Sequence, residues 1–349
     1  MNHTPAESWM KRCFALARRG EGLVSPNPMV GAVLVHENRV IGEGWHQKWG
    51  GPHAEVFCFQ SVKPEDRQKI KESTLYCSLE PCSHFGKTPP CADLILQFGV
   101  PQVVVANVDP NPLVAGAGLK KLQDHGVIVQ SEVLASEGAW LNRAFFTWIQ
   151  YQRPYVVLKW AETADGFISK KGERTAISNA VSRRLSHRWR AAADVILIGA
   201  NTAITDDPEL TTRYYFGKDP LRVLLDWQGS TPIDAKLFQD QSPCLIFGKY
   251  RAGLNEFKRF VEGDGPITMP ELLQSLRKES CTVLLVEGGA NVHQKFLDAG
   301  IWDEIRIIQS PESLGAGVAA PVIPFGVYES KSFQLGSDTV QILLSGRRG

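Results

Sequence analysis

His53, Cys82 and Cys91 constrain this chain most, because three good zinc ligands far apart in sequence must be carried to one point if they are to act together. Glu55 follows the imidazole by two residues, close enough to serve a metal-bound water. Structural zinc sites usually close their tetrahedron with a fourth Cys or His, often by repeating paired ligands, and no second pair appears here. The donor set reads as a hydrolytic zinc site with one open position.

A chain of 349 residues fits two domains, each large enough to bury its own core. Apolar content of 43% and charged content of 21% are those of an ordinary globular protein, and a net charge of +1 gives no sign of a polyanion-binding surface. Lys11, Arg12, Arg18 and Arg19 break the first apolar stretch, so neither a signal peptide nor a membrane span is expected and the cytoplasm is the default. Seven cysteines, an odd number, do not form a disulfide framework, and a reducing compartment would leave Cys82 and Cys91 free for metal. Cys13, Cys58, Cys77, Cys244 and Cys281 sit in apolar runs and are expected in cores.

The spacing predicts a packing helix over Ser8 to Arg19, then a hairpin from Val30–Val35 through Glu37-Asn38-Arg39 into Val40 and Ile41. Pro52 suits the first turn of a helix that carries His53 and Glu55, and Pro89-Pro90 precede Cys91 at the start of another. Helix N-termini favour anions, which suits thiolate ligands. Strands at Thr74–Leu79, Gln102–Ala106 and Val127–Gln130 alternate with these helices, the pattern of an α/β layer domain. Glu137 to Gln152 reads as a single helix stopped by Arg153-Pro154, so the domains are expected to be 1–150 and 151–349.

His-x-Glu followed by Pro-Cys and a second Cys has the roles of the zinc-deaminase signature, although eight residues separate the two Cys where the usual pattern has two. The chemistry needs these types: zinc lowers the pKa of a bound water towards about 7, and a carboxylate not bound to metal can shuttle its proton to a ring nitrogen and a departing amine. Glu55 is the catalytic candidate, and His53, Cys82 and Cys91 are the metal ligands. A degenerate or purely structural zinc site is the alternative.

Several stretches carry a resemblance. Ser25-Pro26-Asn27-Pro28-Met29-Val30-Gly31-Ala32-Val33, Gly44-Trp45-His46 ahead of Gly51-Pro52-His53-Ala54-Glu55, the insertion Ser83 to Pro89, and Asp109 to Gly118 closely resemble the deaminase half of the bifunctional deaminase-reductases of riboflavin biosynthesis. The resemblance implies a cytidine-deaminase-like three-layer domain in which Asn27, His46, His84 and Lys87 line the substrate pocket, with Lys87 or His84 near a ribose 5-phosphate.

In the second half, strands are expected at Tyr155–Trp160, Val195–Ile198, Arg222–Asp226, Cys244–Phe247 and Val283–Val286. Asn179 to Ala192 is expected to be helical, with Val181, Leu185 and Trp189 aligned; its four arginines suit phosphate or solvent. Glu287-Gly288-Gly289 between a strand and a helix makes an anion cradle, while the ordinary G-x-G-x-x-G fingerprint is absent.

Lys159, Asp165-Gly166, Gly199 with Thr202, the Asp206-to-Arg213 run and Glu287-Gly288-Gly289 resemble the reductase half of the same enzymes, an α/β domain similar to dihydrofolate reductase. The resemblance implies that NADPH reduces a ribosyl group to ribityl by hydride delivery to the sugar's C1. Ala161, Ala176, Thr202, Asp206, Gly288 and Gly289 would touch the cofactor, and Arg174, Arg190, Leu210, Arg213 and Glu287 the substrate. Lys159 and Asp206 are the candidates for polarising or protonating the sugar. The pattern departs from the family at Ala176, where an aromatic residue is common, and at Trp227 to Ser230, where a Ser and an Arg are common. Zn2+ and NADPH are the implied cofactors, and a phosphoribosylated pyrimidine the implied substrate. No nucleic acid or membrane partner is expected, and a homo-oligomer is compatible with the sequence. A catalytically silent binding domain in the second half and a nucleic-acid-editing deaminase are the competing functions, the latter lacking a basic track.

Overall fold

The computed structural model describes residues 4–83, 89–112, 114–261, 265–325 and 329–346. The chain forms two compact units, Met1–Gln152 and Arg153–Gly349. No helix among the described residues is long and apolar enough to cross a membrane.

In the first unit, helix α1 (Pro5–Ala17) starts at a capping box in which Thr4 and Glu7 satisfy each other's backbone N–H. Strands β1 (Gly31–His36) and β2 (Arg39–Trp45) form the hairpin, turned by Glu37 and Asn38, both at positive φ as such tight turns require. Helix α2 (Ala54–Gln60) and a 3-10 stretch (Pro64–Glu72) lead to β3 (Thr74–Cys77). Then follow α3 (Cys91–Phe98), β4 (Gln102–Val105), α4 (Ala117–Asp124) and β5 (Ile128–Gln130). The sheet order is β2-β1-β3-β4-β5, with β3, β4 and β5 parallel.

Alternation along the strands sends Leu34, Leu75 and Val103 to one face, against Cys58, Ile95 and Leu122 of α2, α3 and α4. Val33, Tyr76 and Val104 point the other way, against Cys13 and Phe14 of α1. Three layers result. The expected single helix over Glu137 to Gln152 is instead two, α5 (Ala135–Leu141) and α6 (Arg143–Gln150). The break falls at Asn142, whose side chain is taken by Met29: Oδ1 accepts the Met29 N–H at 2.8 Å and Nδ2 donates to its carbonyl at 2.9 Å.

The second unit begins with β6 (Tyr155–Glu162), β7 (Phe167–Ser169), α7 (Ala180–Ala192), β8 (Val195–Gly199) and α8 (Ala200–Asp206). It continues through β9 (Leu221–Leu225), α9 (Lys236–Gln239), β10 (Cys244–Phe247), β11 (Lys258–Val261), α10 (Met269–Lys278), β12 (Val283–Val286) and α11 (Ala290–Asp298). Strands β13 (Glu304–Gln309), β14 (Val318–Ala319), β15 (Glu329–Leu335) and β16 (Asp338–Leu344) close it. The main sheet runs β11-β10-β9-β8-β12-β6-β13-β16-β15, parallel as far as β13 and antiparallel beyond.

Helices cover the parallel part on both faces, so β8 and β10 are buried along their whole length. The chain leaves β8 towards β9 on one side, and β12 is inserted on the other, between β8 and β6. Such a reversal opens a crevice at the carboxyl ends of the strands. Helix α7 departs from expectation: Val181 is exposed, and the buried residues are Ser182, Ser186, His187 and Ala191. Its inward side is polar because Arg190 reaches in to Glu287 at the end of β12.

Candidate active sites of the two units

His53 is the N-cap of α2, just outside the helix, and Cys91 is the first residue of α3. Cys82 lies in the loop after β3, held by its carbonyl accepting the Ala92 N–H and its Sγ accepting the Cys91 N–H. His53 Nδ1 stands 3.5 Å from Cys82 Sγ and 3.3 Å from Cys91 Sγ. Zinc bonds of roughly 2.0 to 2.3 Å at tetrahedral angles put ligand atoms about 3.5 Å apart, so the donor set fits zinc in chemistry and in spacing. These three form the only His, Cys and carboxylate cluster of metal-ligating spacing among the described residues. The hydrogen bond between the two thiols holds Cys82 well below the ordinary thiol range, with burial opposing, and pushes Cys91 up.

Glu55, in the first turn of α2, is buried. Burial pushes its carboxyl above the ordinary range, with His53 pulling partly back. His46, at the end of the hairpin, is buried with its ring edge-on to His53 at 5.6 Å between centroids. Its Nδ1 lies 2.9 Å from the Pro52 carbonyl and its Nε2 3.1 Å from Asn27 Nδ2. A carbonyl needs a donor and an amide nitrogen needs an acceptor, so the ring is the neutral Nδ1–H tautomer; burial also holds its pKa down. Asn27 and His46 are thus joined beside the cluster, whereas His84 and Lys87 lie outside the described residues.

One organiser of this region has no motif of its own. Glu80 is buried and accepts the backbone N–H groups of Asp109, Gly116, Gly118 and Leu119, at 2.9 to 3.3 Å. It ties the Asp109-to-Gly118 loop to the segment that carries Cys82. A Cβ at Gly118 would lie 2.0 Å from the Pro81 carbonyl oxygen, so only glycine lets the loop close on Pro81-Cys82.

In the second unit, a cavity of about 1020 Å³ opens at the carboxyl ends of β6, β8, β9 and β12. Lys159 and Ala161 on β6, Thr202 and Asp206 on α8, and Glu287, Gly288 and Gly289 after β12 all line it. So do Arg174 and Ala176 from the segment before α7, Arg190 on α7, and Leu210 and Arg213 beyond α8. Arg190 grips Glu287 with two parallel hydrogen bonds of 3.0 and 2.7 Å and also donates to the Thr211 carbonyl. Lys159 Nζ is 4.0 Å from the same carboxylate. Burial pushes the Glu287 carboxyl up, yet Arg190 and Lys159 overcome it and hold the group at about 2. Burial lowers Lys159, with Glu287 opposing, and raises Asp206, with Arg174 opposing.

Helix α11 starts after Gly289 with no side-chain cap, so its first N–H groups are free to meet an anion. The Gly288 and Gly289 positions leave the backbone bare at that point, with Thr202 Oγ1 3.1 Å from where a Gly289 Cβ would stand. This cradle and the volume of the cavity fit a dinucleotide phosphate cofactor. Sequence reasoning missed His187 and Tyr214 on the same wall, which carry no motif and whose only signal was nearness to Arg190 and Arg213.

Fold and donor sets define a zinc-dependent deaminase unit followed by a nucleotide-dependent reductase unit. Residues 3–107 match the family described as cytidine and deoxycytidylate deaminase zinc-binding region, and residues 154–339 match the RibD C-terminal domain. The chain is 38% identical to riboflavin biosynthesis protein RibD of Aquifex aeolicus over 90% of this chain and 89% of that one. It is 33% identical to RibD of Escherichia coli over 89% of each. Among solved structures it resembles Acinetobacter baumannii RibD, with a TM-score of 0.88 at 34% identity over 97% of this chain and 98% of that one. A Thermotoga maritima diaminohydroxyphosphoribosylaminopyrimidine deaminase / 5-amino-6-(5-phosphoribosylamino)uracil reductase gives a TM-score of 0.89 at 33% identity, with the same coverage. The chain belongs to the RibD family, the bifunctional deaminase-reductases of riboflavin biosynthesis, with Zn2+ and NADPH as cofactors.

Proposed function

We propose that the two units act in succession on one phosphoribosylated pyrimidine. The first deaminates 2,5-diamino-6-(5-phosphoribosylamino)pyrimidin-4-one, and the second reduces the ribosyl group of the resulting uracil to ribityl. The reading is carried by Glu55, a buried carboxylate two residues from a cluster with three metal donors and, among the described residues, no fourth. The protein works in the cytoplasm, where Cys82 and Cys91 stay reduced, and its substrate is a small molecule, not nucleic acid.

His53, Cys82 and Cys91 would hold zinc, which when bound would supply the Lewis acidity that lowers a water's pKa towards about 7. Glu55 would take a proton from the water whose oxygen bonds to the amino-bearing ring carbon, pass it to the ring nitrogen, and then move the adduct's hydroxyl proton to the amine as the C–N bond breaks and ammonia leaves. Asn27, held by His46, orients the pyrimidine, and His84 and Lys87 receive the phosphate side of the substrate.

When bound in the reductase unit, NADPH would supply the hydride for C1 of the sugar. Ala161, Ala176, Thr202, Asp206, Gly288 and Gly289 would touch the cofactor; Arg174, Arg190, Leu210, Arg213 and Glu287 would face the substrate. Lys159 or Asp206 gives the proton that the ring oxygen takes as its bond to C1 breaks. Zinc quantification with a coupled assay of ammonia release and NADPH oxidation on the diaminopyrimidine phosphate tests the whole scheme. Ammonia release without NADPH oxidation would remove the second step, and neither product would remove both.

A further inference from the structure

We propose that Tyr214 is the stacking platform for the aminouracil ring in the reductase cavity, propped from behind by His187. The inference rests on the reductase reading above and names a residue which that reading leaves without a role. The cavity is rich in cations, with Lys159 and Arg190 at Glu287 and Arg213 also in its lining. These groups suit a sugar and a phosphate. A planar pyrimidine needs a flat apolar surface as well.

Among the described residues, four Phe, Tyr or Trp side chains line the cavity. Trp160 and Phe247 are buried in the core, at 4% and 1% exposure, and offer little surface. Trp227 lies just past β9, which β8 separates from β12, the strand that Glu287 follows. Tyr214 is 50% exposed, and the Arg213 guanidinium carbon stands over its ring, 5.2 Å from the centroid. It combines an available ring with nearness to the sugar-binding cations.

The ring is held ready. His187 meets it edge-on, with centroids 4.7 Å apart and planes at 74°. His187 is almost fully buried, and burial together with Arg190 and Arg213 lowers its pKa to about 4, so it packs as a neutral ring. The segment that carries Tyr214 is stapled shut at its base: Asp219 accepts both the N–H and the hydroxyl of Thr212, each at 2.7 Å. Tyr215 N–H closes a turn onto the Thr212 carbonyl. A preorganised ring loses little entropy when a base settles on it.

Steady-state reductase kinetics of the full chain test this, with the aminouracil phosphate and NADPH varied in turn. A stack made equally in the ground and transition states changes KM and leaves kcat alone. Tyr214→Ala is expected to raise KM for the aminouracil phosphate about tenfold, the size of one base–aromatic stack, with kcat, KM for NADPH and deaminase turnover at parent values. Tyr214→Phe keeps the parent KM. His187→Ala raises it by a smaller factor, and His187→Phe, which restores a neutral ring edge, returns it.

An unchanged KM in Tyr214→Ala, or a rise in KM for NADPH instead, overturns the inference while the reductase assignment stands. A parent chain that does not oxidise NADPH with the aminouracil phosphate overturns the assignment and this inference with it.

Discussion

Arg190 and Glu287 meet fork to fork, Nε to Oε1 at 3.0 Å and Nη2 to Oε2 at 2.7 Å, although one sits on α7 and the other just past the end of β12. The pair fastens the helix to the sheet at the mouth of the reductase cavity. Breaking such a buried pair from one side leaves an unpaired charge and costs about 3 to 5 kcal/mol. Glu287→Gln is therefore expected to lower the melting temperature of this unit at neutral pH. The pH dependence has a definite sign. The folded carboxyl sits at about 2 against an ordinary value of 4.5, so its stabilisation is complete above pH 4.5 and lost as pH falls through about 2. The gap between parent and variant should close across that window in thermal melts recorded against pH.

Lys159 lies 4.0 Å from the same carboxylate, and burial lowers its pKa below the lysine value of 10.5. A proton donor must be charged to act, so reductase turnover should fall along an alkaline limb that begins below pH 10.5. Lys159→Met is expected to lose about 10²-fold or more in reductase kcat with deaminase turnover intact. Undiminished NADPH oxidation by that variant would remove Lys159 from the chemistry.

Glu55→Gln separates metal binding from proton transfer. The amide keeps the volume of the buried side chain and leaves His53, Cys82 and Cys91 untouched, so zinc content should match the parent. Deaminase turnover should drop by about 10² to 10⁴, the range for a general acid–base group. Full ammonia release by a zinc-loaded Glu55→Gln variant would mean that the carboxylate is only structural.

Much of this arrangement could be read from residue types alone. The apolar runs of the strands are visible in sequence, and so are Lys159 interrupting β6, Gly199 closing β8 and Glu287 following β12. The three zinc donors stand out because each follows a proline, two of them at expected helix starts. What stayed hidden depends on tertiary neighbours. Glu80 looks like any loop carboxylate until four N–H groups converge on it. The buried face of α7 is polar because its partner is Arg190's target, so apolar periodicity pointed to the wrong side. His46 reads as a pocket residue, and only the fold shows both ring nitrogens already taken.

Removal of zinc by a strong chelator should silence one unit and spare the other. The ligands come from the N-cap of α2, the loop after β3 and the start of α3, all within Met1–Gln152. Ammonia release is expected to vanish and to return on addition of zinc. NADPH oxidation with preformed aminouracil phosphate should persist at the parent rate, and its loss would tie the reductase to the metal.

Asn142 offers the sharpest test of how the fold supports the deaminase site. Its amide answers the N–H and the carbonyl of Met29 as a neighbouring strand would, and it is almost fully buried. Asn142→Ala leaves both Met29 groups without that partner, at about 1 to 3 kcal/mol for each group that stays unsatisfied. Alanine also favours helix over asparagine, so the break between α5 and α6 loses its cause at the moment its cost is removed. The variant should melt lower while gaining helical ellipticity, a combination that simple destabilisation does not produce. Met29 lies two residues beyond Asn27, whose amide holds His46, so the slackened segment should also raise the deaminase KM and leave reductase KM values unchanged.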